Sequence, residues 1–171
     1  YMTDVFAGID PEKTFHWPQP DQKTLDAGCG IGFWLSQFER RGVEDITGLD
    51  LSPQSIAIAR QRVSDAVTID EGNIEALPYA DGTFYHVNCQ GVVHHTPDTH
   101  AALNELCRVL KTGGTASISV YYDNILVRLF PMIAPVIRGF FKVFGSNTGR
   151  GRDFSTVQTK DDLIRLYDGF D

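Results

Sequence analysis

The chain has 171 residues, 42% of them hydrophobic, and a formal net charge of −7. That length and hydrophobic content suffice for one sizeable core, so we predict a single domain over residues 1–171. Residues 1–120 contain 16 acidic and 8 basic residues, and such an acidic surface excludes the phosphate backbone of nucleic acids as a partner.

The cysteine and hydropathy patterns are typical of a cytoplasmic protein. Cys29, Cys89 and Cys107 are widely spaced and odd in number, so no disulfide framework is predicted. No uninterrupted apolar stretch suits a transmembrane helix, and no signal peptide is recognisable. The histidines between residues 86 and 100 lack the spacing of a helical ligand pair with a carboxylate, so no metal site is predicted.

The stretch LDAGCGIGFW, residues 25–34, predicts a buried strand that turns through glycines into a helix. Asp26 lies at the carboxyl end of the strand, where open α/β sheets bind ligands. The helix is expected to begin at Phe33, with its N-terminus towards that ligand. Three glycines allow the backbone to turn tightly and approach a ligand closely: Gly28, Gly30 and Gly32.

The spacing of this loop is D-x-G-x-G-x-G. A dinucleotide fingerprint would place its third glycine at position 33, which is Phe33. An acidic residue before the glycines would repel a pyrophosphate, whereas it suits a cationic ligand. The loop resembles the first motif of the class I S-adenosylmethionine-dependent methyltransferases, on these residues: Asp26, Gly28, Cys29, Gly30 and Gly32.

This resemblance implies a Rossmann-like, doubly wound α/β sheet with the strand order 3-2-1-4-5-7-6. It also implies S-adenosylmethionine as the cofactor, with Asp26 and the glycines at its methionine end. Within the small-molecule group, the sequence is similar to quinone-biosynthesis methyltransferases.

The next stretch, residues 46–63, predicts a short strand, an acidic residue and a helix that begins at Ser52-Pro53. Asp50 lies 18 residues beyond Gly32, close to the interval at which a βαβ unit brings a carboxylate to a ribose. Asp50 also suits a plain helix entry. With the glycine loop, the ribose role is favoured, and Leu51 joins the predicted cofactor site.

Residues 68–87 match the order of the family's third strand and the turns that lead to its fourth. Asn73 stands where the resemblance shows an aspartate that accepts from the adenine amino group, and the backbone of Ile74 would meet the ring. The amide keeps an acceptor oxygen, so adenine recognition is expected to survive. A simple Asx turn at the strand end is compatible with this role.

The fourth strand carries two unusual polar residues, His86 and Asn88. Buried in a parallel strand, they need hydrogen-bond partners; otherwise the strand is less buried than usual. Gln90 and Gly91 follow, in the loop that the resemblance places against the methionine part of the cofactor.

Residues 101–120 resemble the family pattern ELxRVLKxGGxL. Apolar residues recur at helical spacing, and Lys111 is predicted in the last helical turn. Gly113-Gly114 are predicted to stop the helix, and residues 115–120 to form a central strand.

His94 and His95 are the candidate catalytic residues. Methyl transfer from a sulfonium is a direct displacement, so a base is needed only if the acceptor keeps a proton at neutral pH. Histidine suits that task, because its unperturbed pKa is about 6.5. The alternative is that both rings cap a turn or line the pocket.

The tail, residues 121–171, resembles the family only loosely. Residues 124–144 would form an apolar helix with a narrow polar stripe, interrupted by Pro131 and Pro135. It is expected to cover the sheet; the alternatives are a lid over the acceptor, a membrane-surface contact or a homodimer interface. The tail is too short to contain the last two strands of the family order, so we expect a fragment whose cofactor-binding half is complete.

The predicted function is S-adenosylmethionine-dependent methyl transfer to a small-molecule acceptor, which the apolar tail suggests is hydrophobic. The domain would comprise an N-terminal segment (1–19), a cofactor-binding core (20–120) and an incomplete acceptor-side tail. Two alternatives stay open: a module that binds the cofactor without turnover, and a nicotinamide-dependent oxidoreductase.

Overall fold

The computed structural model divides the chain into two compact units, Tyr1–Tyr121 and Tyr122–Asp171. Residues 15–120 are described in the first unit, and an antiparallel pair of two-residue strands in the second. The predictions for residues 1–14 and for the apolar segment 124–144 lie outside the described residues. The division into one domain with an acceptor-side tail stays a prediction.

The first unit is a five-stranded parallel sheet with helices on both faces. The strand order is β3-β2-β1-β4-β5. The elements in chain order are β1 (Thr24–Ala27), α1 (Phe33–Arg40), β2 (Ile46–Asp50), α2 (Pro53–Arg60), β3 (Thr68–Glu71), β4 (Phe84–Gln90), a short 3₁₀ helix (Val93–His95), α3 (Thr99–Val109), β5 (Leu110–Ser119), β6 (Thr148–Gly149) and β7 (Arg152–Asp153). The predicted Rossmann-like α/β class is confirmed.

β1 lies at the point where the strand order reverses, with β2 on one side and β4 on the other. Asp26 is in register with Gly48 of β2 and with Asn88 of β4. In an open α/β sheet, the crevice outside the carboxyl ends of the strands at such a point is where ligands bind. The topology therefore places the glycine loop in the crevice.

Two separate apolar clusters pack the helices onto the sheet. One joins α3 to the sheet through Leu106 and Val87, and the other joins α1 and α2 through Phe38 and Ile56. Because neighbouring residues of a strand point to opposite faces, β2 contributes to both clusters, with Leu49 in the first and Ile46 in the second. This two-sided burial is typical of a parallel sheet.

The predicted helix starts are confirmed. α1 begins at Phe33, and α2 begins at Pro53 after Ser52, whose hydroxyl accepts a hydrogen bond from the Ser55 N–H at 3.2 Å. A side-chain acceptor at this position satisfies an N–H that has no partner within the helix. α3 begins in the same way, with Asp98 accepting from Ala101.

The predicted end of α3 is wrong. The helix ends at Val109, and Leu110 is already extended (φ −78°, ψ 131°) and pairs with Phe84 of β4. The register between β4 and β5 then shifts, so Gly113 and Gly114 lie in this irregularity instead of stopping a helix. A Cβ on Gly114 would lie 2.7 Å from the Tyr85 carbonyl oxygen, so the glycine permits this close strand approach. Among the described residues, β5 is also an edge strand and not a central one.

The two polar residues of β4 are buried and paired. His86 Nδ1 shares a hydrogen bond with Thr115 Oγ1 at 2.9 Å, and Asn88 Nδ2 donates to Asp26 Oδ1 at 2.7 Å. The alternative of a less buried strand is therefore excluded.

Glu105 and Arg108 of α3 bind the loop between β3 and β4 through hydrogen bonds. Glu105 accepts a hydrogen bond from the Leu77 N–H at 2.7 Å, while Arg108 donates to the carbonyls of Leu77 (3.0 Å) and Tyr79 (2.7 Å). Arg108 also pairs with Asp81 at 2.8 Å. These contacts hold the connection between β3 and β4 against α3.

We predict that Gly28→Ala destabilises the fold more than Gly42→Ala does. Both glycines have a φ of 78°, so both substitutions carry the left-handed strain of about 1–2 kcal/mol. Only at Gly28 would the new Cβ meet a neighbour, Val92 Cγ2 at 2.5 Å, whereas at Gly42 no atom lies within 4 Å. Overpacking adds about 1–3 kcal/mol, which urea unfolding would measure. Equal losses would contradict the contact with Val92.

Candidate active site

The glycine loop is fastened to β2. The N–H groups of Gly28 and Cys29 both donate to the Leu49 carbonyl, at 2.7 and 2.9 Å. Gly28, Gly30 and Gly32 have φ values of 78°, 51° and 78°, the left-handed region that glycine tolerates. The predicted turn through glycines is confirmed.

Two of the three glycines are also places of close approach. A Cβ on Gly28 would overlap Val92 of the loop after β4, and a Cβ on Gly32 would lie 3.0 Å from Ala59 Cβ of α2. A Cβ on Gly30 would meet nothing within 4 Å. The first and third glycines therefore serve packing, whereas Gly30 borders open space.

Asp50 organises the start of this crevice. Its Oδ2 accepts a hydrogen bond from the Gly30 N–H at 2.7 Å, and its Oδ1 accepts from the Ser52 N–H at 2.9 Å. One carboxylate thus holds both the glycine loop and the entry to α2. Each oxygen retains a further lone pair for a ligand donor.

Asp26 is buried, with 1% of its surface exposed. Its Oδ1 accepts from Asn88, while its Oδ2 has no hydrogen-bond partner among the described residues. Burial raises the pKa of the Asp26 carboxyl from 3.8 to about 7; the hydrogen bond from Asn88 opposes the rise, and the charge of Asp50 adds to it. The site thus holds a carboxylate that a cation would stabilise.

Gln90 continues the polar contacts towards β5. Its Nε2 donates to Asn88 Oδ1 at 3.0 Å and to the Ser117 carbonyl at 2.9 Å. The next residue, Gly91, donates its N–H to Ser119 Oγ at 2.8 Å. A Cβ on Gly91 would meet nothing within 4 Å, so this turn also borders open space.

Cys29 and Leu51 occupy opposite environments. Cys29 is 5% exposed and belongs to the apolar cluster of α1 and α2, and burial raises the pKa of its thiol. Leu51 is 69% exposed beside Asp50. Cys29 can therefore offer a ligand its backbone, whereas Leu51 can offer its side chain.

Asn73 lies in the turn after β3. Its Oδ1 accepts from the Glu75 N–H at 3.0 Å, which is the Asx turn considered as an alternative, and its side chain is exposed. Ile74 is buried in the cluster that packs α3. The structure brings these two residues to the end of the strand next to β2.

His94 and His95 lie on the 3₁₀ helix after β4, with ring centroids 4.2 Å apart. His94 is half-buried and His95 is exposed. Because Val92 packs against Gly28, this turn is adjacent to the glycine loop. His86, by contrast, is buried, and burial lowers its pKa to about 4.

A family described as "Methyltransferase domain" matches residues 25–118. The chain belongs to this methyltransferase domain family. The match runs from β1 to the end of β5, and so includes every element that forms the crevice.

Two curated methyltransferases are similar to the chain. The demethylmenaquinone methyltransferase of Shouchella clausii is 37% identical over 56% of this chain and 43% of its own length. The malonyl-[acyl-carrier protein] O-methyltransferase of Erwinia billingiae is 41% identical over 63% of this chain and 42% of its own length. The chain therefore covers less than half the length of these relatives.

A solved structure has the same fold. The S-adenosylmethionine dependent methyltransferase from Mesorhizobium loti gives a TM-score of 0.55 at 23% identity, covering 59% of this chain and 47% of that one. Membership of the methyltransferase family implies S-adenosylmethionine as the cofactor.

The crevice suits this cofactor chemically. The sulfonium and the ammonium of S-adenosylmethionine are cations, and the buried Oδ2 of Asp26 is an acceptor without a described partner. Gly30 and Gly91 leave space on both sides of the β1 end.

Among residues 15–120, no group of three His, Cys, Asp or Glu side chains could hold a metal ion. None of the helices in this range is long and apolar enough to cross a membrane.

Sequence reasoning missed the role of Asn88 and the contribution of β5. A signal was present, because polar residues alternate along both strands: His86, Asn88 and Gln90 on β4, and Thr115, Ser117 and Ser119 on β5. The register pairs them one by one. A polar residue at every second position of two adjoining strands indicates a polar stripe on one face.

We predict that Asp26→Asn changes how stability depends on pH. The folded-state pKa of Asp26 is raised, so its ionisation costs stability progressively as pH rises from about 4 to about 7. The buried His86 has a lowered pKa, and its effect is opposite to that of Asp26: its protonation costs the folded protein stability as pH falls from 6.5 towards 4. The variant keeps His86 and removes the Asp26 contribution.

Urea unfolding midpoints between pH 4.5 and pH 8 measure this change. The variant should gain stability over the wild type as pH rises, and the gain should level off above pH 7. Parallel curves for the two proteins would show that Asp26 does not titrate in this range.

Proposed function

We propose that the protein transfers the methyl group of S-adenosylmethionine to a small-molecule acceptor by direct displacement. The observation that carries this proposal is the buried Asp26 carboxylate, with one oxygen unpartnered among the described residues, beside the open glycine loop. A buried carboxylate without a full set of partners favours a cationic ligand over a pyrophosphate.

The bound cofactor supplies a methyl group that is already electrophilic. The protein therefore has to align the acceptor with the methyl group and to exclude water. Neither task requires a metal or a covalent intermediate on the protein.

The nucleoside half of the cofactor is assigned to the ends of two neighbouring strands, β2 and β3. Asp50 would accept from the ribose hydroxyls, since each of its oxygens keeps a lone pair after binding a backbone N–H. The exposed Leu51 side chain would contact the adenine face. Asn73 and the backbone of Ile74 would meet the adenine edge.

The methionine half is assigned to β1 and β4. Asp26 would bind the ammonium, with the backbone of Gly28, Cys29, Gly30 and Gly32 around it. Gln90 would close this end from the β4 side, where its amide is already oriented by Asn88 and Ser117.

The acceptor is proposed to be a small, hydrophobic molecule. Of the two relatives named above, the one named for demethylmenaquinone supports this acceptor class, whereas the other is named for a malonyl group carried by a protein. Where the attacking atom carries a proton, His94 and His95 are the candidate bases, because they lie on the turn next to the glycine loop.

A cytoplasmic location and a homodimer through residues 121–171 stay predictions.

Calorimetric titration with S-adenosylmethionine, S-adenosylhomocysteine and NAD tests the cofactor. Binding of the first two and not of NAD is the expected result, and tight binding of NAD alone would refute the proposal. Incubation with methyl-labelled cofactor and a metabolite extract tests transfer. Cofactor binding without label in any acceptor would favour a module that binds and does not transfer.

We predict that Asp50→Ala weakens the binding of S-adenosylmethionine and of 5′-methylthioadenosine to a similar extent, because both carry the ribose. Loss of hydrogen bonds to a charged acceptor costs about 1.5–3 kcal/mol, which is about 10- to 150-fold in affinity. Glu71→Ala is the matched control, since Glu71 ends the adjoining strand in register with Asp50. Equal losses in both variants would contradict the ribose role.

A further inference from the structure

A chain of side-chain hydrogen bonds crosses three strands and ends on Asp26. The Ser117 carbonyl of β5 accepts from Gln90 Nε2, which also donates to Asn88 Oδ1. Asn88 Nδ2 in turn donates to Asp26 Oδ1. We refer to these four groups as the relay.

The direction of the relay is fixed by its first member. A backbone carbonyl can only accept, so the Gln90 amide must turn its NH₂ group towards Ser117. That same NH₂ group then faces Asn88, which must present its oxygen to Gln90 and its own NH₂ group to Asp26. Both amide orientations therefore follow from chemistry, and Asp26 always receives a donor.

The relay runs along a polar stripe on the sheet face that carries α1. Register pairs Asp26 with Asn88 and Asn88 with Ser117. Two residues earlier in each strand, on the same face, the register forms a neighbouring polar row of Thr24, His86 and Thr115. Asn88 is 1% exposed, so its amide is not available to solvent. A buried amide in a parallel strand is costly unless both of its polar atoms are used, and here both are.

We propose that Asn88 is a positioning residue for the cationic end of S-adenosylmethionine, acting through Asp26. It holds one oxygen of the carboxylate and leaves Oδ2 to the ligand. The inference rests on the proposed function, since it deepens the role of Asp26 in binding the cofactor.

The physical reason is the balance that governs the charge of Asp26. Burial favours the protonated, neutral carboxyl, which binds a cation poorly, whereas a hydrogen bond from a neutral donor favours the ionised form. Asn88 supplies that donor without adding a charge. The other titratable groups around Asp26 are Asp50 on β2, Cys29 in the glycine loop, and Cys89 with His86 on β4. Among the described residues, the hydrogen bond that Asp26 accepts from a side chain comes from Asn88 and from none of these groups.

The test compares Asn88→Val with Asn88→Thr. The two side chains have the same shape and suit a strand, and only threonine can donate a hydrogen bond. At pH 7, Asn88→Val should weaken the binding of S-adenosylmethionine by about tenfold or more, as expected for a lost bond to a charged group. Asn88→Thr should recover part of the loss. Calorimetry with the full chain measures both affinities.

A neutral ligand separates positioning from simple destabilisation. 5′-Methylthioadenosine has the nucleoside but neither cation, so its affinity should stay within about twofold in both variants. Ser117→Ala is the matched control, because Ser117 contributes only its backbone carbonyl to the relay. It should bind S-adenosylmethionine like the wild type.

The pH profile gives a second readout. Wild-type affinity for S-adenosylmethionine should rise with pH and level off above pH 7, where Asp26 of the free protein is ionised. In Asn88→Val the plateau should move to higher pH, because the donor that favours ionisation is gone. In an Asp26→Asn background, Asn88→Val should have no further effect.

Several results would overturn the inference. Equal weakening of the charged and neutral ligands would mean that Asn88 only supports the fold. Unchanged affinity in Asn88→Val, or full additivity with Asp26→Asn, would also refute it. A wild-type chain that binds neither nucleoside would instead refute the proposed function itself, so the two failures are distinguishable.

Discussion

The hydrogen bond between Asn88 and Asp26 joins the two strands between which the chain reverses its order. β1 has β2 on one side and β4 on the other, and this bond is the side-chain link on the β4 side. Without it, the buried Asp26 carboxyl would lose its one described hydrogen-bond partner. This contact opposes the effect of burial on the charge of Asp26, and the proposed preference of the crevice for a cation depends on that charge.

The shape of the crevice depends on glycines, whose lack of a Cβ lets neighbouring segments approach closely. The loops after β1 and β4 meet because Gly28 offers no Cβ to Val92, and the loop after β1 meets α2 because Gly32 offers none to Ala59. Asp50 then fixes the intervening Gly30 through its N–H. The loop is therefore fixed on three sides, while Gly30 still borders open space. A rigid loop of this kind binds a ligand without first losing conformational entropy.

Local features were predictable from sequence, and long-range ones were not. The start of α2 is encoded by the adjacent Ser52 and Pro53, so pattern alone located it. The end of α3 was mispredicted because Leu110 leaves the helix to pair with Phe84, a partner 26 residues earlier in the chain. The role of Arg108 was likewise hidden, since its carbonyl partners lie 29 and 31 residues away. Tertiary contacts override helical spacing at such points.

The same limit applies to the site. Asp26, the glycines and Asp50 lie in two short segments whose spacing encodes their proximity, and the structure brings them together. Asn88 was recognisable as an anomaly of β4, but its partner 62 residues away was not. Anomalies of this kind are informative because burial makes an unpaired amide costly. A polar residue at a buried strand position therefore predicts a specific partner, even where the sequence does not identify it.

Burial and charge at Asp26 also connect ligand binding to stability. Above pH 7 the free protein holds an ionised carboxylate in a buried place, near the charge of Asp50, which disfavours the folded state. A cation that bound there would remove this penalty, and the relief would appear as a higher affinity and so as a larger stabilisation of the folded state by the ligand. At lower pH, part of the binding free energy is used to release the proton from Asp26. Through Asp26 alone, the fold is thus more stable without ligand at mildly acidic pH, an effect that the buried His86 opposes, and the proposed cationic ligand would stabilise the fold more at neutral pH.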